Sequence, residues 1–235
     1  MFEGITILGS VNLTEKITLT RSILEQYTPS LLWGALVTIE VTIGSVFVGL
    51  IIGLFMGMFR LSRHKIISFP ATVYIEFFRG TPLLVQIFWI YFGIAPLIAG
   101  KSADPLITGI IVCGINSGAY IAEIVRGGIL SIDKGQMEAA KSLGMSESQA
   151  MQHIILPQAF KIMIPPLINE FVAMLKDTSL VSVISIQELM LMGKSAVSDT
   201  YQPFIVYSAV ALIYFAMTLP ITRLGIWAER RLKTT

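Results

Sequence analysis

Charge, cysteine and histidine are all scarce in this chain. Only 14% of its 235 residues are Asp, Glu, Lys or Arg, against roughly 25% in an ordinary soluble domain. With 54% apolar residues and a mean hydropathy of +0.75, a soluble fold would lack the polar surface to cover its own core. Lipid is the natural solvent for such a sequence. One cysteine, Cys113, excludes a disulfide framework and any CxxC metal site. It sits in an apolar run and suits a small core residue. The two histidines, His64 and His153, stand apart and form no His/Glu metal motif. There is no G-x-x-x-x-G-K-[ST] phosphate loop, which excludes an ATPase in this chain. The first 28 residues hold Glu3, Glu15, Lys16, Arg21 and Glu25 without the clean apolar stretch of a cleavable signal peptide.

What fills the chain instead is long apolar runs. A spanning helix needs about 20 such residues, and five stretches qualify, at about 30–59, 70–98, 105–126, 162–186 and 200–222. Residues 1–29 then form an extracytoplasmic segment with room for a short surface helix, 30–229 the transmembrane domain, and 230–235 a tail. Basic residues in short loops mark the cytoplasmic side. Arg60, Arg63 and Lys65 follow the first run; Lys134, Lys141 and Lys161 separate the third and fourth; Arg230, Arg231 and Lys233 end the chain. The alternate loops hold only Lys101 and Lys194. This pattern predicts an all-α, five-span membrane protein with its N-terminus outside and its C-terminus in the cytoplasm. Gly49, Gly53 and Gly57 place small residues on one face of the first run, suited to close packing inside the chain or to a dimer seam.

An ionisable residue inside a bilayer costs at least roughly 2.5–3.5 kcal/mol on insertion scales. It normally pairs, faces the interior or lines a pathway. At 1.5 Å per residue, Asp177 and Arg79 each lie about 14 Å into their runs, Asn116 about 17 Å and Glu40 similarly deep. All four fall near the midplane, whereas Glu123 falls near the cytoplasmic end. A midplane site with both signs of charge suits a zwitterion. Arg79 can hold a carboxylate in its guanidinium fork, Asp177 an ammonium, and Asn116 or Gln86 can add neutral hydrogen bonds. On the fourth run Glu170, Met174, Asp177 and Val181 share a helical face, beside the hydroxyls of Thr178, Ser179, Ser182 and Ser185. The same charges also have a structural reading. Glu76–Arg79 and Glu123–Arg126 are i,i+3 pairs able to neutralise each other, and Glu40 can bond a Thr or backbone group of a neighbouring helix. A third reading makes Glu40, Glu123 and Asp177 the ion relay of a secondary transporter. That class often shows two similar halves, and no internal repeat is visible here.

The loop at 131–160 is too patterned for a linker. It reads as a turn at Lys134-Gly135, a helical run from Gln136 to Leu143, and a stop at Gly144 suited to a left-handed C-cap. Ser146 with Gln149 completes a capping-box pattern for a second helix ending near Ile155, before Pro157. Two short helices meeting at a glycine make a knob able to dock in a groove of a cytosolic partner.

Glu138-Ala139-Ala140, then Gly144, then Ile154-x-Leu156-Pro157 resembles the EAA signature of bacterial ABC-importer permeases. "FRGTPLLVQ" (Phe78–Gln86), "AYIAEIVRGGILSIDKGQMEAAKSLGM" (Ala119–Met145), "ILPQAFKIMIPPLINEF" (Ile155–Phe171) and "LKDTSLVSVI" (Leu175–Ile184) are similar to the polar amino-acid uptake branch, the histidine/glutamine/arginine-type permeases. The resemblance implies a type I ABC importer permease fold in a bacterial inner membrane, working as a homodimer or heterodimer. It implies a cytosolic ABC ATPase dimer that carries ATP and Mg, an extracytoplasmic amino-acid-binding protein, and no cofactor or nucleic acid on this chain. ATPase coupling would fall to Glu138, Ala139, Ala140, Gly144, Met145, Ile154, Leu156 and Pro157. Substrate contact is expected at Arg79, Asp177, Asn116, Gln86, Ser179 and Glu40.

Overall fold

A computed structural model describes residues 13–99 and 103–232. Residues 1–12, Lys101 and Lys233 lie outside the described residues. Among those described, the elements are helices: α1 (Leu13–Arg60), α2 (Lys65–Gly80), α3 (Leu83–Phe88), α4 (Ala95–Ala99), α5 (Pro105–Leu130), α6 (Lys134–Ser142), α7 (Glu147–Ala150), α8 (Leu156–Asp177), α9 (Leu189–Thr200) and α10 (Pro203–Leu232). Wider π-type turns at Trp89–Ile94 and Met151–Ile155 join α3 to α4 and α7 to α8. A tight 3₁₀ stretch, Thr178–Ile184, follows α8.

Among the described residues three helices are long and apolar enough to cross a membrane alone, α1 from Thr14, α5 and α10. Two bent pairs raise the number to as many as five if each is one span: Lys65–Gly80 with Leu83–Ile98, bent by 109°, and Glu147–Ile184 with Leu189–Thr200, bent by 54°. The run at 70–98 is therefore an elbow rather than one straight helix, broken where Thr81-Pro82 interrupts the backbone ladder. The N-terminal segment also differs from the division at residue 29. Residues 13–29 continue α1 without a break through Pro29. They continue because they have something to pack on: Ile23 joins Leu31, Ala35, Leu189, Ala196, Val206 and Val210 in one apolar cluster. The 48-residue α1 is about 72 Å long, more than twice the hydrocarbon thickness.

Helix α5 is the central post. In its apolar window 61% of residues are buried, against 11% for α10, which leaves α10 on the outside. Close approach of α1 to α5 explains the glycine face. A Cβ on Gly53 would sit 2.6 Å from Ile121, and one on Gly57 2.8 Å from the Ala122 carbonyl oxygen. The glycines serve packing within the chain, the small-residue contact that membrane helices use in place of a hydrophobic drive. The main core gathers Val41, Val46, Ile87, Val112, Cys113, Met174, Val181 and Ile184 from α1, α3, α5, α8 and the 3₁₀ stretch.

Candidate functional site

The elbow between α2 and α3 builds the site. Thr81 is extended (φ −119°, ψ 146°), as the residue before a proline is driven to be. The break orphans the last carbonyls of α2, and protein donors serve them. Thr81 Oγ1 donates to the Phe77 carbonyl at 2.8 Å. The Gln86 amide nitrogen lies 2.8 Å from the Phe78 carbonyl, 3.0 Å from the Thr81 carbonyl and 2.8 Å from Thr81 Oγ1. Asn116, reaching across from α5, donates to Gln86 Oε1 at 2.9 Å and lies 3.3 Å from the Phe78 carbonyl. Two buried amides thus close the elbow and fasten it to the central helix.

Beside the elbow is a cleft of about 460 Å³, lined by Arg79, Thr81, Asn116, Tyr120, Asp177 and Leu180 among others. Asn116, Tyr120 and Glu123 lie at i, i+4 and i+7 and form one stripe along α5. The Arg79 guanidinium carbon sits 5.4 Å from the Tyr120 ring centroid, a cation–π contact. Across the cleft, Asp177 is the last residue of α8. The winding tightens after it, Ser185 turns left-handed (φ 65°), and α9 restarts at Leu189. The face expected for Glu170, Met174, Asp177 and Val181 is not uniform. Met174 and Val181 are core, Asp177 is open to the cleft, and Glu170 accepts a hydrogen bond from Ser117 at 2.8 Å.

Of the six residues picked for substrate contact, Arg79, Asn116 and Asp177 line this one cleft. Gln86 stands behind it, 1% exposed, with its amide taken up by the elbow. Ser179 is half-buried and does not line the cleft. Glu40 is exposed on α1, away from it. The expected Glu76–Arg79 pair does not form, because Glu76 meets Arg60 at 3.6 Å instead. Glu123 does pair with Arg126, through two 3.0 Å hydrogen bonds, and also accepts from Arg60 at 2.5 Å. Tyr120 and Leu180 went unnoticed, although the i+4 spacing from Asn116 already carries Tyr120 onto the same stripe. Glu188 was also missed. Fully buried, it caps α9 by accepting from the Met190 and Leu191 N–H groups at 2.7 and 2.8 Å and from Tyr214 at 3.1 Å. A glutamate at an N-cap has no strong sequence signal.

The knob forms at the end of the bundle that carries Arg60 and Leu130. Helix α6 ends in a Schellman turn, with Met145 N–H donating to the Ala140 carbonyl (3.1 Å) and Gly144 N–H to Lys141 (3.0 Å). Gly144 has φ +86°. Ser146 and Gln149 complete the reciprocal capping box of α7. Glu147 then binds Arg63 at 3.0 Å and Lys141 at 3.3 Å, tying the knob to the α1–α2 loop. Helical winding does not stop before Pro157 as the sequence suggested; it widens in the π-type turn Met151–Ile155 and continues through Pro157 at the start of α8. Glu138, Ala139, Gly144 and Pro157 are exposed, Met145, Ile154 and Leu156 half-buried, and Ala140 buried beneath them. Leu143, overlooked in the sequence, projects 84% exposed at the corner. The knob is spliced between α5 and α8, the two helices that bring Asn116 and Asp177 to the cleft.

Comparison with known proteins identifies the family. The family described as "Binding-protein-dependent transport system inner membrane component" matches residues 49–234. The glutamine transport system permease protein GlnP of Escherichia coli K12 is 39% identical over 205 residues, 87% of this chain and 94% of that protein. The arginine transport system permease protein ArtQ of Bacillus subtilis is 35% identical over 209 residues, 88% and 94% of the two chains. Among solved structures, the crystal structure of an amino acid ABC transporter with histidines aligns with TM-score 0.83 and 42% identity, over 88% of this chain and 96% of that one. An inward-facing form of the MetNI methionine ABC transporter aligns with TM-score 0.77 at 19% identity, over 88% and 98%, a likeness of fold alone. The ion-coupled reading finds no support in these relatives, and the chain belongs to the family of binding-protein-dependent transport system inner membrane components, as a multi-pass permease subunit.

Proposed function

We propose that this chain is the permease subunit of an ATP-driven importer of a polar amino acid, and that the Arg79–Asn116–Asp177 cleft receives the cargo. One observation carries the reading. A cation from α2 and an anion from the end of α8 line the same 460 Å³ cleft, together with the neutral Asn116 side chain. Arg79 takes the α-carboxylate, Asp177 the ammonium or a side-chain cation, and Tyr120 and Leu180 supply apolar wall. Charge-assisted hydrogen bonds of this kind are each worth about 1.5–3 kcal/mol, enough to select a zwitterion over an uncharged solute.

In this reading the chain crosses the membrane five times, with its N-terminus outside and the knob in the cytoplasm. There the knob engages one subunit of an ABC ATPase dimer, with Leu143 as the exposed apolar anchor beside Glu138, Ala139, Gly144 and Met145. ATP and Mg belong to that partner, and this chain holds no catalytic residue. A second permease subunit closes the open side of the cleft, and an extracytoplasmic binding protein delivers the amino acid. Closure of the ATPase pair moves the knob, which pulls on α5 and α8 together and so changes the separation of Asn116 from Asp177. A cargo that binds the two arrangements unequally is then coupled to the ATPase. The test is co-purification with the neighbouring ATPase, followed by uptake in proteoliposomes. ATP-dependent uptake of one or a few amino acids supports the reading. Uptake that persists without the ATPase and collapses with an uncoupler contradicts it.

A further inference from the structure

Arg79 has two surroundings. On one side it lines the cleft; on the other it reaches Glu123, Nη1 to Oε2, at 3.5 Å. Glu123 is only 18% exposed and is the meeting point of three arginines. Its oxygens are unequally used. Oε1 accepts from Arg60 Nη1 and Arg126 Nε, and Oε2 accepts from Arg126 Nη2, all within 3.0 Å. Arg79 occupies the last acceptor position at a distance that makes an ion pair without a hydrogen bond. A carboxylate offers about four lone-pair sites. Three are held tightly by Arg60 and Arg126, which between them already neutralise Glu123. Arg79 is therefore the one partner that can leave without stranding the buried anion. Its side chain is 40% exposed and rests on the Tyr120 ring, one turn along α5 from Glu123. A guanidinium lying on an aromatic face keeps its edge free to donate sideways.

We infer that Glu123 is an internal competitor for Arg79: the cargo carboxylate and Glu123 share one guanidinium, and Glu123 is a positioning residue that sets how strongly the cleft holds an acid. The competition also has a direction. Arg60, Arg126 and Glu123 tie the knob-proximal ends of α1 and α5 together, and Arg79 adds the end of α2 to that knot. Cargo that draws Arg79 towards Asn116 removes the Arg79 tie of α2, which then keeps to the knot through Glu76 and Arg60 at 3.6 Å, while α1 and α5 stay joined.

The inference rests on the cleft reading above, and two variants separate their failures. Equilibrium binding is measured on the purified permease–ATPase complex without binding protein. The probes are the tightest-binding of the twenty L-amino acids and the same amino acid as its carboxamide. Glu123→Asp keeps a carboxylate for Arg60 and Arg126 but withdraws it by one methylene from Arg79. It is expected to tighten binding of the acid by about two- to fivefold, the factor a partly exposed ion pair supplies, and to leave the carboxamide unchanged. Glu123→Gln is expected to act in the same sense if the complex assembles; Glu123→Asp decides the matter if it does not. Acid and carboxamide shifting together, or the acid binding no tighter, overturns the competition. If Arg79→Gln binds the acid as tightly as the unaltered complex, the cleft assignment itself falls, and the competition with it.

Discussion

The corner at Gly144 and the elbow at Thr81-Pro82 are both breaks between two helices, closed by opposite means. At the corner the closing bonds are local: the Schellman turn, the capping box and the Lys141–Glu147 contact all lie between residues 139 and 149, with the exposed Arg63–Glu147 pair added from outside. At the elbow the local bonds of Thr81 and Gln86 are joined by a group from far along the chain. Asn116 is 30 residues from Gln86 and 38 from Phe78. A locally closed break moves as a rigid body. One closed by another helix must follow that helix. The contrast suits a machine in which one part is gripped and the other is reshaped, because the knob keeps its form while α5 carries its displacement to the elbow and the cleft.

The sharpest way to break the contrast is at the corner. Gly144→Val forces a β-branched residue to φ +86°, a conformation costing about 1–2 kcal/mol for an ordinary residue. The knob should lose its shape without unfolding the bundle. ATPase co-purification should fall to background and uptake to under about a tenth, while the complex-free permease keeps its helical circular dichroism. Asp177→Ala comes next. It removes a charge-assisted contact worth roughly a factor of ten or more, so cargo binding should weaken at least about tenfold with ATPase association intact. Unaltered uptake kinetics would reject Asp177 as a cargo ligand.

Gln86→Leu probes the elbow from behind the cleft. It leaves the Phe78 and Thr81 carbonyls short of a donor, at about 1–3 kcal/mol for a buried orphan. The expected result is a lower Tm of the detergent-solubilised complex together with weaker binding, since the elbow places Arg79. A drop in Tm with binding untouched would show that the elbow and the cleft are independent. The smallest effect belongs to Glu147→Ala. Its contacts with Arg63 and Lys141 are exposed, and such pairs contribute little. Uptake should fall by less than about threefold, measured as initial rate, because the corner is held by its backbone turns.

The same contrast explains what the sequence revealed. Gly144, Ser146 and Gln149 sit within six positions of one another, and short-range capping rules identify them directly. Arg79, Asn116 and Asp177 were found by depth alone, which places residues along a membrane normal but not around it. Glu40 has comparable depth and faces elsewhere. Gln86 was noticed as polar but not as a clasp, since nothing local says that Phe78 and Thr81 carbonyls need it. The Glu123 meeting point was half legible: Arg126 is three residues away, whereas Arg60 and Arg79 arrive from two other helices. The change of winding after Asp177 had no visible signal, since TSLVSVI carries no proline or glycine to mark it.

The central claim is that cargo occupies the charged cleft. The elbow offers a competitor in the apolar groove of about 530 Å³ lined by Phe69, Val73, Phe77 and Trp89. A diazirine-bearing analogue of the transported amino acid, photolysed in the reconstituted complex and mapped by mass spectrometry, distinguishes the two. Label on Tyr120, Leu83 or Leu180, suppressed by excess unlabelled amino acid, is the predicted result. Suppressible label on Phe69, Val73 or Trp89, with none on the cleft residues, would contradict it.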